Sequence, residues 1–244
     1  NDGDNIIILD GQAKTYRGLS GDDTYFVSQL LPEKGKVSIT DTEGTNTIQI
    51  PSNTYIDKTL FTKNAARLTL ENGREITISG DIRHSTPDLI NYFKEGVLST
   101  GVDIINIGIV PTPVNYYSLF KLGVAGAVQI TGSHNPPEFN GFKLSLHKKP
   151  VYGEQIQTIK KFIDELDFDT GKGAETRYKI LPDYNKMIAE KINIERPMKV
   201  VMDCGNAAAA INAPTIYNNL GIELTELYCE PDGSFPNHHP DPTV

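Results

Sequence analysis

The alternation of apolar and polar positions changes rhythm near residue 80. Before that point the apolar residues come in short runs with period two, the spacing of half-buried strands. The pattern predicts strands at residues 6–9, 24–30, 36–40, 47–50, 66–70 and 75–79. Turn signals stand between them at Asp10-Gly11, Glu43-Gly44 and Asn72-Gly73. Arg67-Leu68-Thr69-Leu70 and Glu75-Ile76-Thr77-Ile78 flank the last of these, which predicts a hairpin. No helical period is visible before residue 86.

Beyond residue 80, strands alternate with segments of helical spacing. Thr86-Pro87 reads as an N-cap followed by proline at the first helical position, and Leu89, Ile90, Phe93 and Val97 give the apolar face. A near-continuous apolar strand follows at 103–110, then a helix at 113–122, a buried strand at 124–130 and a short strand at 142–146. Residues 152–168 predict a helix with Ile156, Ile159, Phe162, Ile163 and Leu166 turned inward. Residues 169–180 read as a linker. Helices at 182–192 and 207–220 and strands at 198–203 and 222–230 complete the pattern. This rhythm predicts an α/β layered architecture after an N-terminal all-β segment. The expected divisions are 1–80, 81–180 and 181–244.

Composition narrows the function classes. All five histidines, both cysteines and all three methionines lie after Gly80, so the side chains that carry most chemistry sit in the α/β part. The 244 residues hold 23 Lys and Arg against 31 Asp and Glu, a net charge of -8. No basic run is present, which argues against a nucleic-acid partner. No apolar stretch reaches the ~18 residues of a membrane span. Two cysteines do not make a disulfide scaffold, and Cys204 and Cys229 read as reduced thiols on neighbouring strands, as in a cytosolic protein.

The candidate chemistry is concentrated in Thr131-Gly132-Ser133-His134-Asn135-Pro136-Pro137-Glu138-Phe139-Asn140-Gly141-Phe142-Lys143. A buried strand gives way here to polar residues, and strand ends are where α/β sheets bind ligands. Two prolines stiffen the loop, and Gly132 and Gly141 allow unusual backbone angles. Such a loop suits presentation of one hydroxyl, that of Ser133. Taken alone, Ser-His-Asn also reads as a solvated polar turn.

The same stretch resembles the active-site serine loop of the α-D-phosphohexomutases, in the phosphomannomutase/phosphoglucomutase branch. The resemblance extends through Asp81-Ile82-Arg83-His84-Ser85-Thr86-Pro87, Val110-Pro111-Thr112-Pro113-Val114, Tyr152-Gly153-Glu154-Gln155-Ile156 and Met198-Lys199-Val200-Val201-Met202-Asp203-Cys204-Gly205-Asn206. It ends in the run from Cys229-Glu230-Pro231 to His238-His239-Pro240-Asp241-Pro242. It covers residues 81–244, with the first strand of the family's first domain lacking. It implies intramolecular phosphoryl transfer on a hexose phosphate through a phosphoserine at Ser133, with Mg²⁺ bound through that phosphate. Lys143 would stabilise charge or act in acid–base chemistry, His134 would orient the phosphate or assist proton transfer, and Thr131, Gly132 and Asn135 would form the phosphate loop. Asp203, Cys204 and Asn206 end a strand and read as packing and turn residues; His238-His239 with Asp241 could suggest a metal site, but the resemblance assigns that segment to a structural loop. Ala207 and Ala210 stand where the family often has glycine.

The family's arginine segment Tyr-Asp-x-Arg-Gly has only a displaced echo in Tyr16-Arg17-Gly18. Its Asp-Gly-Asp-Gly-Asp-Arg metal loop is not among the 244 residues. The sequence therefore carries the expectation that this chain alone does not turn over hexose phosphates. The N-terminal part resembles something else. Gly18-Leu19-Ser20-Gly21-Asp22-Asp23-Thr24-Tyr25, with a weaker copy at Asp2-Gly3-Asp4-Asn5-Ile6-Ile7, is similar to the nonapeptide turns of RTX-type secreted proteins. That resemblance implies Ca²⁺ held by Asp4, Asp22 and Asp23, and an alternative function as a calcium-associated β-roll binding module of a secreted protein.

Overall fold

A computed structural model describes residues 3–28, 36–41, 43–50, 54–62, 65–72, 75–239 and 241. The chain divides into two compact units, residues 1–72 and 73–244. Residues 29 and 30 of the predicted 24–30 strand, Gly73 of the expected hairpin turn, Pro240 and Pro242 lie outside the described residues.

The first unit contains β1 (Ile6–Leu9), β2 (Thr15–Arg17), β3 (Thr24–Val27), β4 (Ser38–Thr40), β5 (Thr47–Gln49), β6 (Thr54–Thr62) and β7 (Ala65–Asn72). The short strands stack in parallel, β1-β3-β5 in one sheet and β2-β4 in another. Ile6 pairs with Thr24, 18 residues on, which is the spacing of the two Gly-Asp turns. The aspartates of these turns face the backbone. The amides of Asp22 and Thr45 donate to Asp4 Oδ1 (2.8 Å) and Asp22 Oδ1 (2.7 Å), and the Asn5 amide donates to Asp23 Oδ1 (2.7 Å). These carboxylates tie successive strand ends together. Among the described residues, no group of three or more His, Cys, Asp or Glu side chains could hold a metal ion, so the structure gives the calcium reading no support.

The second unit begins with β8 (Glu75–Gly80), followed by α1 (Thr86–Ser99), β9 (Asp103–Ile109), α2 (Thr112–Lys121) and β10 (Gly126–Ile130). Next come β11 (Phe142–Leu146), β12 (Lys149–Pro150), α3 (Glu154–Glu165), β13 (Glu175–Arg177) and α4 (Leu181–Lys191). The unit closes with β14 (Lys199–Asp203), a 3₁₀ turn (Ala208–Ile211), α5 (Ala213–Asn219) and β15 (Glu223–Leu227).

The expected hairpin is not formed. The strand at 66–70 pairs antiparallel with β6, whereas β8 lies between β9 and β10 and pairs parallel with both. The six-stranded order is β12-β11-β10-β8-β9-β13. Turn chemistry at Asn72-Gly73 is outweighed by burial, since Thr77, Ile78 and Ser79 are each 0% exposed and both edges of β8 are used. The strand alternates across the sheet. Ile78 packs with Ile90, Ile104, Val128 and Ile130 beneath α1, each isoleucine contributing roughly 1.5–3 kcal/mol. Thr77 and Ser79 face α2 instead, where Thr77 Oγ1 lies 2.7 Å from Ser118 Oγ and Ser79 is bonded to Gln129 and Asn115. α1 and α2 therefore cover opposite faces.

Within this unit, β14, α5 and β15 form a second lobe, joined to the six-stranded sheet through α4. Ile180, at its N-terminus, is buried with Ile107, Val110 and Val114, Tyr184 meets Tyr117 edge-on at 5.4 Å, and Lys121 pairs with Asp183 at 3.1 Å. β14 and β15 pair in parallel with α5 between them in sequence. Three further expectations need correction. The linker contributes β13 to the sheet edge, because residues 175–177 can still pair with β9. The single helix over 207–220 is a 3₁₀ turn and then α5, restarting at Ala213 with Pro214 in its first turn, where a missing N–H is tolerated. The apolar stripe of α3 is exposed rather than inward: Ile156, Phe162, Ile163 and Leu166 are 44–78% exposed. Helical spacing predicts that stripe but not what covers it. Among the described residues, no helix is long and apolar enough to cross a membrane.

Candidate active site

The residues that follow β8, β9 and β10 converge at the carboxyl ends of these parallel strands, the usual ligand position in an open α/β sheet. They border a cavity of about 490 Å³ together with residues from the end of β14 and from the 235–241 segment. Its lining includes Ser133, His134, Lys143, Arg83, Asp203 and His238. Another hollow, of about 600 Å³, lies between α4 and α5; Lys186 is its single titratable lining residue.

Arg83 organises the serine loop. It is 1% exposed, and its Nε donates to Asp81 Oδ2 at 3.0 Å. Its Nη1 donates to the carbonyls of Pro136 (2.5 Å) and Phe139 (3.1 Å), and its Nη2 to those of Ser133 (3.1 Å) and Asn135 (2.8 Å). A planar guanidinium can serve several acceptors in fixed directions, which an ammonium cannot. Phe235 covers the guanidinium, with its ring centroid 5.2 Å from Cζ. The loop thus wraps around one buried cation.

Asp81 is the second anchor. Its Oδ1 accepts from the Arg83 amide and from Thr86 Oγ1 (2.9 Å), and its Oδ2 accepts from Thr131 Oγ1 (2.7 Å). Thr86 was expected to cap α1; it is instead the first helical residue, with its hydroxyl turned back to Asp81. Thr131 Oγ1 in turn accepts from the Ser133 amide at 3.0 Å. Ser133 has a φ of 56°, in the left-handed region that side chains other than glycine rarely adopt. Its side chain is exposed at the cavity. The predicted loop residues hold this bend: Thr131 through its hydroxyl, Gly132 by leaving space for Arg83, and Asn135 through its amide and side-chain nitrogen, which both donate to the Gly132 carbonyl.

Lys143 stands on β11 opposite Gln129 of β10. Gln129 is fully buried, donates to the Val110 carbonyl (3.0 Å) and accepts from Ser79 Oγ (2.6 Å), while Asn115 Nδ2 donates to Ser79 Oγ (2.7 Å). This polar layer fixes the floor of the cavity. Sequence patterning did not single it out, because buried Ser, Asn and Gln interrupt an apolar run without a spacing of their own.

The second lobe brings in a group that the sequence assigned to packing. Asp203 Oδ1 accepts from the Gly205 amide (2.8 Å) and lies 3.0 Å from His238 Nε2. His238 Nδ1 is 2.9 Å from the His239 carbonyl. That carbonyl, and then Asp203, raise the His238 pKa above its ordinary value of 6.5. The histidine, followed by the Gly205 amide, lowers that of Asp203. The signal available in the sequence was the position of Asp203 at a strand end. Among the described residues at the cavity, no group of three or more His, Cys, Asp or Glu side chains could hold a metal ion.

Comparison with known proteins identifies the family of this fold. The family description "Phosphoglucomutase/phosphomannomutase, alpha/beta/alpha domain I" matches residues 52–170, and that of domain II matches residues 182–244. The chain belongs to the phosphoglucomutase/phosphomannomutase family. It is 42% identical over 167 residues to a phosphomannomutase/phosphoglucomutase of Pseudomonas aeruginosa, covering 68% of this chain and 36% of that protein. It is 37% identical over 181 residues to a phosphoglucomutase of Neisseria meningitidis, covering 73% and 39%. The chain thus spans little more than a third of these relatives. The crystal structure of a phosphoglucomutase/phosphomannomutase family protein from Burkholderia thailandensis superposes with a TM-score of 0.67 at 40% identity, over 70% of this chain and 39% of that one. A protein of Thermus thermophilus with a solved crystal structure, 20% identical over 69% of this chain and 40% of that one, shares the fold with a TM-score of 0.60.

Proposed function

We propose that this chain carries the phosphoryl-accepting serine of a phosphohexomutase, with Ser133 exchanging a phosphoryl group with a hexose phosphate in the cavity. The supporting observation is an exposed Ser133 held in left-handed geometry by a buried arginine that bonds the loop backbone. Such transfer depends on positioning and on charge stabilisation rather than on a strong base. In this reading Ser133 Oγ forms a bond to phosphorus as the sugar oxygen leaves. Lys143 stabilises the charge spread over the phosphoryl oxygens, and His134 orients them or receives the serine proton. Mg²⁺, in the family's chemistry, neutralises phosphate charge; no step here is assigned to a metal site of this chain. Residues after β14 and in the 235–239 segment contribute part of the wall, within a second mutase domain.

Incubation with a hexose 1,6-bisphosphate labelled in its phosphates tests this reading. Label retained on the chain, absent from Ser133→Ala and reduced at least tenfold in Lys143→Met, is the expected result. Label retained equally by Ser133→Ala would overturn it.

A further inference from the structure

Cys204 and Cys229 follow the ends of the two paired strands of the second lobe, and their sulfurs lie 3.0 Å apart. Backbone bonds clamp both sides of the pair: the Cys204 amide donates to the Leu227 carbonyl at 3.0 Å, and the Asn206 amide to the Tyr228 carbonyl at 2.8 Å. The strand ends are thus already held together, and a bond requires the sulfurs to close to ~2.05 Å. Cys204 is buried and borders the Ser133 cavity, next in the chain to Asp203; Cys229 is half-buried.

We propose that Cys204 and Cys229 form an oxidisable dithiol that closes to an intramolecular disulfide, a modification site in the wall of the catalytic cavity. Cys229, the more accessible sulfur, reacts first. As thiolate it attacks one sulfur of a small disulfide such as oxidised glutathione, breaking that S–S bond and releasing one thiol. Cys204 then gives up its proton and attacks the Cys229 sulfur, expelling the second small thiol. Burial, and then the neighbouring Cys229, push the Cys204 pKa up to about 12, so Cys204 is not the thiol that attacks first. Two protein thiols lose two electrons and two protons, and one small disulfide becomes two thiols.

The experiment treats the full chain with oxidised glutathione and follows it by thiol titration, intact mass and non-reducing peptide mapping. The expected result is loss of both thiols, no retained glutathione and one linked peptide pair joining residues 204 and 229. Cys204→Ser is expected to keep a glutathione adduct on Cys229. A wild-type chain that retains both thiols, accumulates a stable glutathione adduct, or cross-links between chains overturns the proposal.

Discussion

Arg83 Nη2 donates to the carbonyl oxygen of Ser133 at 3.1 Å, so the backbone of the candidate nucleophile hangs on a cation buried under the loop. The same side chain neutralises Asp81 at 3.0 Å. Removing it leaves Asp81 buried without its charge partner, which typically costs about 3–5 kcal/mol. Arg83→Met is expected to lose stability on that scale in urea unfolding. Arg83→Lys is expected to rescue little of it, because one ammonium cannot reach four carbonyls and a carboxylate. Wild-type stability in Arg83→Lys contradicts this role.

Thr131 relays the same anchor, donating to Asp81 and accepting from the Ser133 amide. Thr131→Val keeps the shape and leaves both groups short of a partner, so a loss of about 1–3 kcal/mol is expected in chemical denaturation. Thr131→Ser keeps the hydroxyl and is expected to stay within about 1 kcal/mol of wild type.

Gly132 has no room for a side chain. A Cβ there would lie 2.5 Å from both Arg83 Cζ and the Phe139 carbonyl oxygen. Gly132→Ala is expected to cost about 1–3 kcal/mol by overpacking and to reduce labelling at Ser133. At Gly141 a Cβ would meet the Thr131 carbonyl at an ordinary 3.5 Å, so Gly141→Ala serves as the tolerated control. Equal effects of the two substitutions on thermal unfolding and labelling would argue against the steric account.

The Asp203–His238 pair sets a pH window. His238 is raised above 6.5, so its contribution is complete below that value and fades as pH rises through the higher folded pKa. Asp203 is lowered below 3.8, so its contribution is present above 3.8 and is lost as pH falls through the lower folded pKa. Histidine proton NMR is expected to give His238 a midpoint above 6.5. Asp203→Asn should move that midpoint downward but not abolish the rise, because the His239 carbonyl remains. A wild-type midpoint at or below 6.5 excludes the pair.

Much of the α/β part was legible because burial and periodicity agree there. Ile104, Val114, Val124 and Ile130 are among the least exposed residues of the unit, and each falls in an element that the pattern predicts. Where the reading failed, a local signal competed with a longer-range one. Asn72-Gly73 advertised a hairpin, but β8 is taken up by two strands distant in sequence. The α3 stripe was legible as a helix face, while its exposure depends on neighbours that periodicity cannot supply. The serine loop stood out through its run of special residues. Arg83 appeared only as part of a matching segment, since nothing in the spacing says that a side chain fifty positions away gathers four loop carbonyls.

Site-resolved mass spectrometry of phosphate on the chain, after exposure to a hexose bisphosphate, addresses the central claim most directly. The account predicts phosphate on the peptide containing Ser133, with none on the neighbouring Ser145 or Ser85, and its disappearance in Arg83→Met where that variant remains folded. Phosphate spread over several serines, or its absence from Ser133 in a folded wild-type chain, would contradict it.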